Sequence, residues 1–170
     1  MVALLLTWQY MSGQDSSAFA YSFKEAGIKI DLPNSKWHEA GMQQKGGVIV
    51  YFFKRDIIID SSNRQVIPNI GVIIDDVPDH TDAVTYSLKK RMESPFDVSK
   101  VFIHGDGQLT YKNAVGYQGT YADKDSLVHT IYVVHAINKN KGIQIILDTT
   151  TETFSEIEKE FLYVLRSIRN

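Results

Sequence analysis

The segment Asp75-Asp76-Val-Pro-Asp79-His80-Thr-Asp82 holds the densest set of oxygen and nitrogen ligands in the chain. Carboxylates two to four residues apart in a loop can bind a hard cation, and a neighbouring imidazole can act as a base. Asp75, Asp76 and His80 are therefore candidate site residues, and residues 75–82 would suit a small metal-dependent hydrolase. The spacing lacks the alternating acids, central glycine and distal glutamate of a calcium loop. Asp79 and Asp82 also suit a helix start, where acids cap free N–H groups and complement the dipole. That structural role is the expected one.

A second charged cluster runs from Arg55-Asp56 through Asp60 to Arg64. Arg55 and Arg64 are candidates for a partner-binding edge, although charges of this kind also keep strand edges from pairing. His129 and His135 fall on the same face of one expected strand, ~20 Å apart along it, too far to share a metal without other ligands. Gly105-Asp-Gly107 reads as a turn and not a phosphate cradle, because no helix follows it. Gly116 and Gly119 lie inside a strand pattern, where glycine marks a bulge or bend. No serine sits in a G-x-S-x-G elbow, and no H-E-x-x-H, P-loop or G-x-G-x-x-G occurs. Cysteine is absent, which removes disulfides, thiol nucleophiles and cysteine metal sites. No cofactor and no metal site is expected.

The elements that must position these groups are mostly strands. Phe19–Phe23 and Ile28–Leu32 alternate around Glu25-Ala-Gly27, which reads as a hairpin. Val48–Phe53 is a continuous apolar run, as in a strand buried on both faces. Ile70–Asp75 returns to a strand pattern. From Asp79 to Glu93 the period is helical, with Val84, Leu88 and Met92 on one stripe, a cap at Asp79 or Thr81, and a stop at Ser94-Pro95. Val101–His104 and Leu109–Tyr111 flank the glycine turn as a second hairpin. Ala114–Tyr121 puts Val115, Tyr117 and Tyr121 on one face, and Leu127–Ile137 and Ile143–Thr149 should pair antiparallel. Thr153-Phe-Ser-Glu156 has the form of a capping box, opening a helix striped by Phe154, Ile157, Phe161, Leu165 and Ile168.

At 170 residues, 44% hydrophobic and 22% charged, the chain suits one globular domain over residues 19–170. Its 18 basic and 20 acidic residues leave a net charge of −2, no basis for nucleic acid or anionic membrane as partner. The apolar run Met1–Trp8 and the small polar Met11–Asp15 read as the back half of an export signal, so residues 1–18 are a signal remnant and extension. The alternative is an ordinary first strand. The run is too short to span a membrane.

The meander Ala114–Tyr121, Leu127–Ile137, Ile143–Thr149, followed by the helix ending Leu165-Arg-Ser-Ile-Arg169, resembles the PsbP-like superfamily. Tyr21-Ser-Phe23, Ile28-Lys-Ile-Asp-Leu-Pro33 and Trp37 are similar to its opening. The resemblance covers most of the chain from Phe19. It implies an α+β fold, a central mostly antiparallel sheet flanked by helices as an α/β/α-type sandwich. It also implies proteins that mainly bind other proteins and are not enzymes: an extrinsic photosystem subunit, a Ran-binding import factor, bacterial envelope proteins. No binding motif is shared among these, so no residue carries over. The missing cysteine departs from the lipid-anchored members.

The expected function is a non-catalytic binding or accessory protein of the bacterial envelope, secreted or periplasmic, with another protein as partner. The alternatives are the hydrolase above and a small-molecule carrier, its cavity between sheet and helix lined by Tyr117, Tyr121 and Tyr132.

Overall fold

Alternating apolar and polar side chains run through most of the chain, and strands result. The computed structural model describes residues 19–170; the expected export signal in residues 1–18 lies outside them. In order come β1 (Ala20–Phe23), β2 (Ile28–Asp31), β3 (Trp37–Lys45), β4 (Val48–Arg55), β5 (Ile58–Ile59), β6 (Gln65–Val66), β7 (Asn69–Asp76), α1 (Ala83–Glu93), β8 (Asp97–Ile103), β9 (Ala114–Ala122), β10 (Val128–Asn138), β11 (Lys141–Thr150) and α2 (Phe154–Ser167). No helix among the described residues is long and apolar enough to cross a membrane.

Seven strands form one antiparallel sheet in the order β3-β4-β7-β11-β10-β9-β8. At its centre β10 and β11 form the expected hairpin, in register from Asn138↔Lys141 to His129↔Thr150. The two-residue period of a strand sorts β10 into two rows. Tyr132, Val134 and Ala136 join Ile143, Ile145, Leu147, Ile70, Val72, Ile74 and Phe53 in the main core. This face is covered by α2 and by the β1–β2 hairpin, whose Phe23 packs edge-on against Tyr51 at 5.0 Å. Trp37 covers one end of that core as its position suggests, with its ring 6.1 Å from Phe161.

The other row of β10, with Ile131, Val133 and His135, faces a side that carries only α1 among the described residues. Eleven residues of helix rise ~16 Å, whereas seven strands span ~29 Å, so one short helix leaves part of that side open. Over the described residues the fold is therefore α+β and mostly antiparallel, but dominated by its sheet, with a single helix on each side.

Several local expectations are corrected. Val48–Phe53 is not buried on both faces: Tyr51 and Phe53 enter the core while Phe52 is exposed on the open side. Leu109–Tyr111 forms no strand; Leu109 meets His104 in one isolated bridge, and β8 pairs with β9 instead. The turn between them is closed by Asp106, whose carboxylate accepts from the N–H groups of Ile103 and Gln108. The capping box of α2 does not close either. Thr153 stands at the N-cap, but its hydroxyl bonds those of Thr149 and Thr150 in a buried cluster.

Candidate functional site

The open side of the sheet is organised by α1. Its cap is Asp82, not Asp79 or Thr81: the Asp82 carboxylate accepts from the Thr85 N–H at 2.7 Å, and that bond holds its pKa below the usual range. The helix then docks through Ala83, Tyr86 and Ser87. The Tyr86 hydroxyl donates to Asp75 at 2.7 Å, and Lys90 Nζ reaches the other Asp75 oxygen at 2.7 Å. Burial, then Asp75, push the Tyr86 phenol well above its ordinary pKa. These polar anchors decide which side of the helix turns inward. The apolar stripe Val84, Leu88 and Met92 consequently faces solvent, 59%, 61% and 86% exposed.

Beside that stripe, β8 exposes Val98, Val101 and Ile103. Leu88, Met92, Val98, Tyr117 and Arg91 line a shallow basin of about 360 Å³ between helix and strand. The Arg91 guanidinium lies over the rings of Phe96 at 4.3 Å and Tyr117 at 5.2 Å, without a carboxylate partner among the described residues. Helix stripe, basin and β8 make up an apolar shelf. Among the described residues β8 ends the sheet, and no strand pairs with its outer edge.

On the other flank of α1 a trough of about 480 Å³ runs across β4, β7, β11 and β10. Val50, Phe52, Ile73, Val133 and Ile146 form its apolar floor, with Gly71 among them. His135 lines the trough beside α1, and Gln144 pairs with it in register. The imidazole is 1% exposed; its Nδ1 meets Ser87 Oγ at 2.9 Å, and Ser87 Oγ meets the Tyr117 hydroxyl at 2.6 Å. Nε2 has no hydrogen-bond partner among the described residues. Burial lowers the His135 pKa to about 4, helped by Lys90 and Arg91 and opposed by Asp75, so the ring is neutral at pH 7. At the far end Asp148 accepts from Tyr121 at 2.7 Å and meets His129 Nδ1 at 2.7 Å, with the Tyr121 and His129 rings stacked.

Ser87 and His135 do not make a nucleophile pair. Ser87 is buried under the helix, and no carboxylate orients the far nitrogen of the ring.

The structure does not bring the sequence candidates together. Asp75 anchors α1, while Asp76 points to the opposite side of the strand and pairs with Lys141. His80 sits in a turn at φ 68°, exposed to solvent. Among the described residues no group of three or more His, Asp or Glu is placed to hold a metal ion. Arg55 grips Glu160 with two bonds of 2.9 and 3.0 Å on the covered side, where Trp37 Nε1 also donates to Glu160. Burial alone would raise the Glu160 pKa, but Arg55 and Trp37 bring it below the usual range. Arg64 is held by Asp60 at 2.7 Å and Glu152 at 2.8 Å. The three tyrosines do not share a cavity: Tyr117 and Tyr121 face the open side, whereas Tyr132, opposite Gln118, faces the core and bonds Glu158. His135 was legible as one of two histidines on a strand face, and Gln144 only as a polar residue interrupting the apolar run of β11.

No family model matches the chain, and no curated protein matches it in sequence. Among solved structures it is similar to the solution structure of cyanobacterial PsbP (CyanoP) from Synechocystis sp. PCC 6803. That likeness has a TM-score of 0.52 at 17% identity and covers 88% of this chain and 90% of that one. A crystal structure from Bacteroides thetaiotaomicron VPI-5482 aligns at a TM-score of 0.49 and 9% identity, over 84% of this chain and 44% of that one. The fold is PsbP-like.

Proposed function

We propose that this PsbP-like chain is a non-catalytic accessory module of the bacterial envelope that binds another protein through the apolar shelf. The observation that carries the reading is the solvent-facing stripe of Val84, Leu88 and Met92. Covering such side chains is worth ~1.5–3 kcal/mol each, and contiguous exposed apolar surface marks interaction sites. The free edge of β8 offers backbone groups for strand addition beside the stripe. Arg91, already packed on two rings, suits an acidic side chain on the incoming segment. The partner is thus an apolar protein segment bearing a carboxylate. The resemblance to a family that mainly binds proteins points the same way, and the apolar run Met1–Trp8 supports export.

A photo-crosslinking residue at Leu88, and a control at exposed Lys159 on α2, test the docking face in the native host. One discrete heavier species from Leu88, lost on adding Met92→Glu and absent from Lys159, is expected. Crosslinks only between copies of the chain, or equal yields at both positions, would remove the shelf from the reading. Cell fractionation tests the envelope assignment, which a purely cytoplasmic protein would refute.

A further inference from the structure

The trough lies outside the docking reading and is built differently from the shelf. Gly71 stands in the middle of β7 with no left-handed backbone to require glycine, and a Cβ added there would meet no atom within 4 Å. Strand centres are normally filled, so this glycine holds a space open. His135 lines the same trough, and its Nε2 lacks a partner among the described residues, although buried polar nitrogens almost always have one. The groups facing the ring are Lys90 and Arg91 from α1, Asp75 from β7, and the rings of Tyr86 and Tyr117. Lys90 already meets Asp75 at 2.7 Å and Glu93 at 3.5 Å, whereas Arg91 has no carboxylate partner among the described residues. Tyr117, Ser87 and Nδ1 form a hydrogen-bonded chain; run with Tyr117 donating to Ser87 and Ser87 to Nδ1, it puts the proton of the neutral ring on Nε2, which then needs an acceptor. The volume of about 480 Å³ falls within the usual range for small-ligand sites.

We propose that the trough binds an apolar monocarboxylate, its carboxylate accepting from His135 Nε2 beside Lys90 and its apolar body lying over Gly71. Alkyl and aryl acids share this chemistry, so decanoate and 2-naphthoate are the probes, with decan-1-ol as the control lacking the charge. Binding to the purified protein is followed by calorimetry and by NMR shifts of the Gly71, Gln144 and Ile146 amides.

One of the two acids should bind saturably at one per chain, and decan-1-ol should bind ~10-fold or more weakly. His135→Phe keeps the shape of the ring and should weaken the acid ~10-fold. Gly71→Leu should fold, melt no lower than the parent, and show no saturable binding. Leu88→Glu should leave binding unchanged, so that failure of the shelf and failure of the trough are told apart. Neither acid binding, decan-1-ol binding equally, or full binding in Gly71→Leu or His135→Phe would each overturn the proposal.

Discussion

Protonation of His135 is coupled to folding. Its pKa is about 4 in the folded chain against an ordinary 6.5, so between those values the unfolded chain binds the extra proton. Stability from this group is complete above pH 6.5, falls as pH drops towards 4, and is gone below it. The shift corresponds to about 3 kcal/mol, which urea unfolding of parent and His135→Phe from pH 7.5 to 4 should show as a narrowing gap. On the covered side, Glu160→Gln keeps the shape but removes the charge that Arg55 and Trp37 share. It should cost about 1–3 kcal/mol in the same measurement at pH 7. Arg55 and Glu160 lie 105 positions apart, which is why the sequence reveals the charges and not their pairing. Asp75 was legible as a candidate ligand in an acid-rich segment, but its hold on Tyr86 and Lys90 was not.

Two helices that both carry apolar stripes have opposite fates. α2 buries Ile157, Phe161 and Leu165, as its pattern predicts, together with Val164, whereas α1, the less amphipathic of the two, turns Val84, Leu88 and Met92 outward. Periodicity shows that a stripe exists; what it faces depends on polar anchors from other strands. Phe161→Ala should cost about 3–5 kcal/mol, while Leu88→Glu should change stability by less than ~0.5 kcal/mol, both read from denaturant midpoints. The expected hairpins β1–β2 and β10–β11 are present because adjacency and tight turns suffice to specify them. β3 was not legible, since its edge position leaves mostly polar side chains and no alternation. Gly116 and Gly119 do serve packing: a Cβ on Gly119 would strike the Asp97 carbonyl and the Phe96 ring, beside the irregularity at Val98/Lys100 in β8. Gly119→Ala should cost about 1–3 kcal/mol and disturb the β8–β9 pairing in amide exchange.

At the scale of the molecule, β4 joins β7 and β7 joins β11, so the sheet closes over long stretches of intervening chain. Such non-local pairing predicts refolding in milliseconds to seconds, which stopped-flow dilution from urea would measure. Microsecond folding would be at odds with this topology. Both described ends lie against the covered side: the Leu32 N–H reaches the Phe19 carbonyl, and Arg169 exchanges backbone bonds with Lys29 on β2 while gripping Asp31. A tether, tag or fused domain attached after Asn170 therefore hangs behind the molecule. A surface-immobilised sample would present shelf and trough outward together, like the palm of a hand held at the wrist.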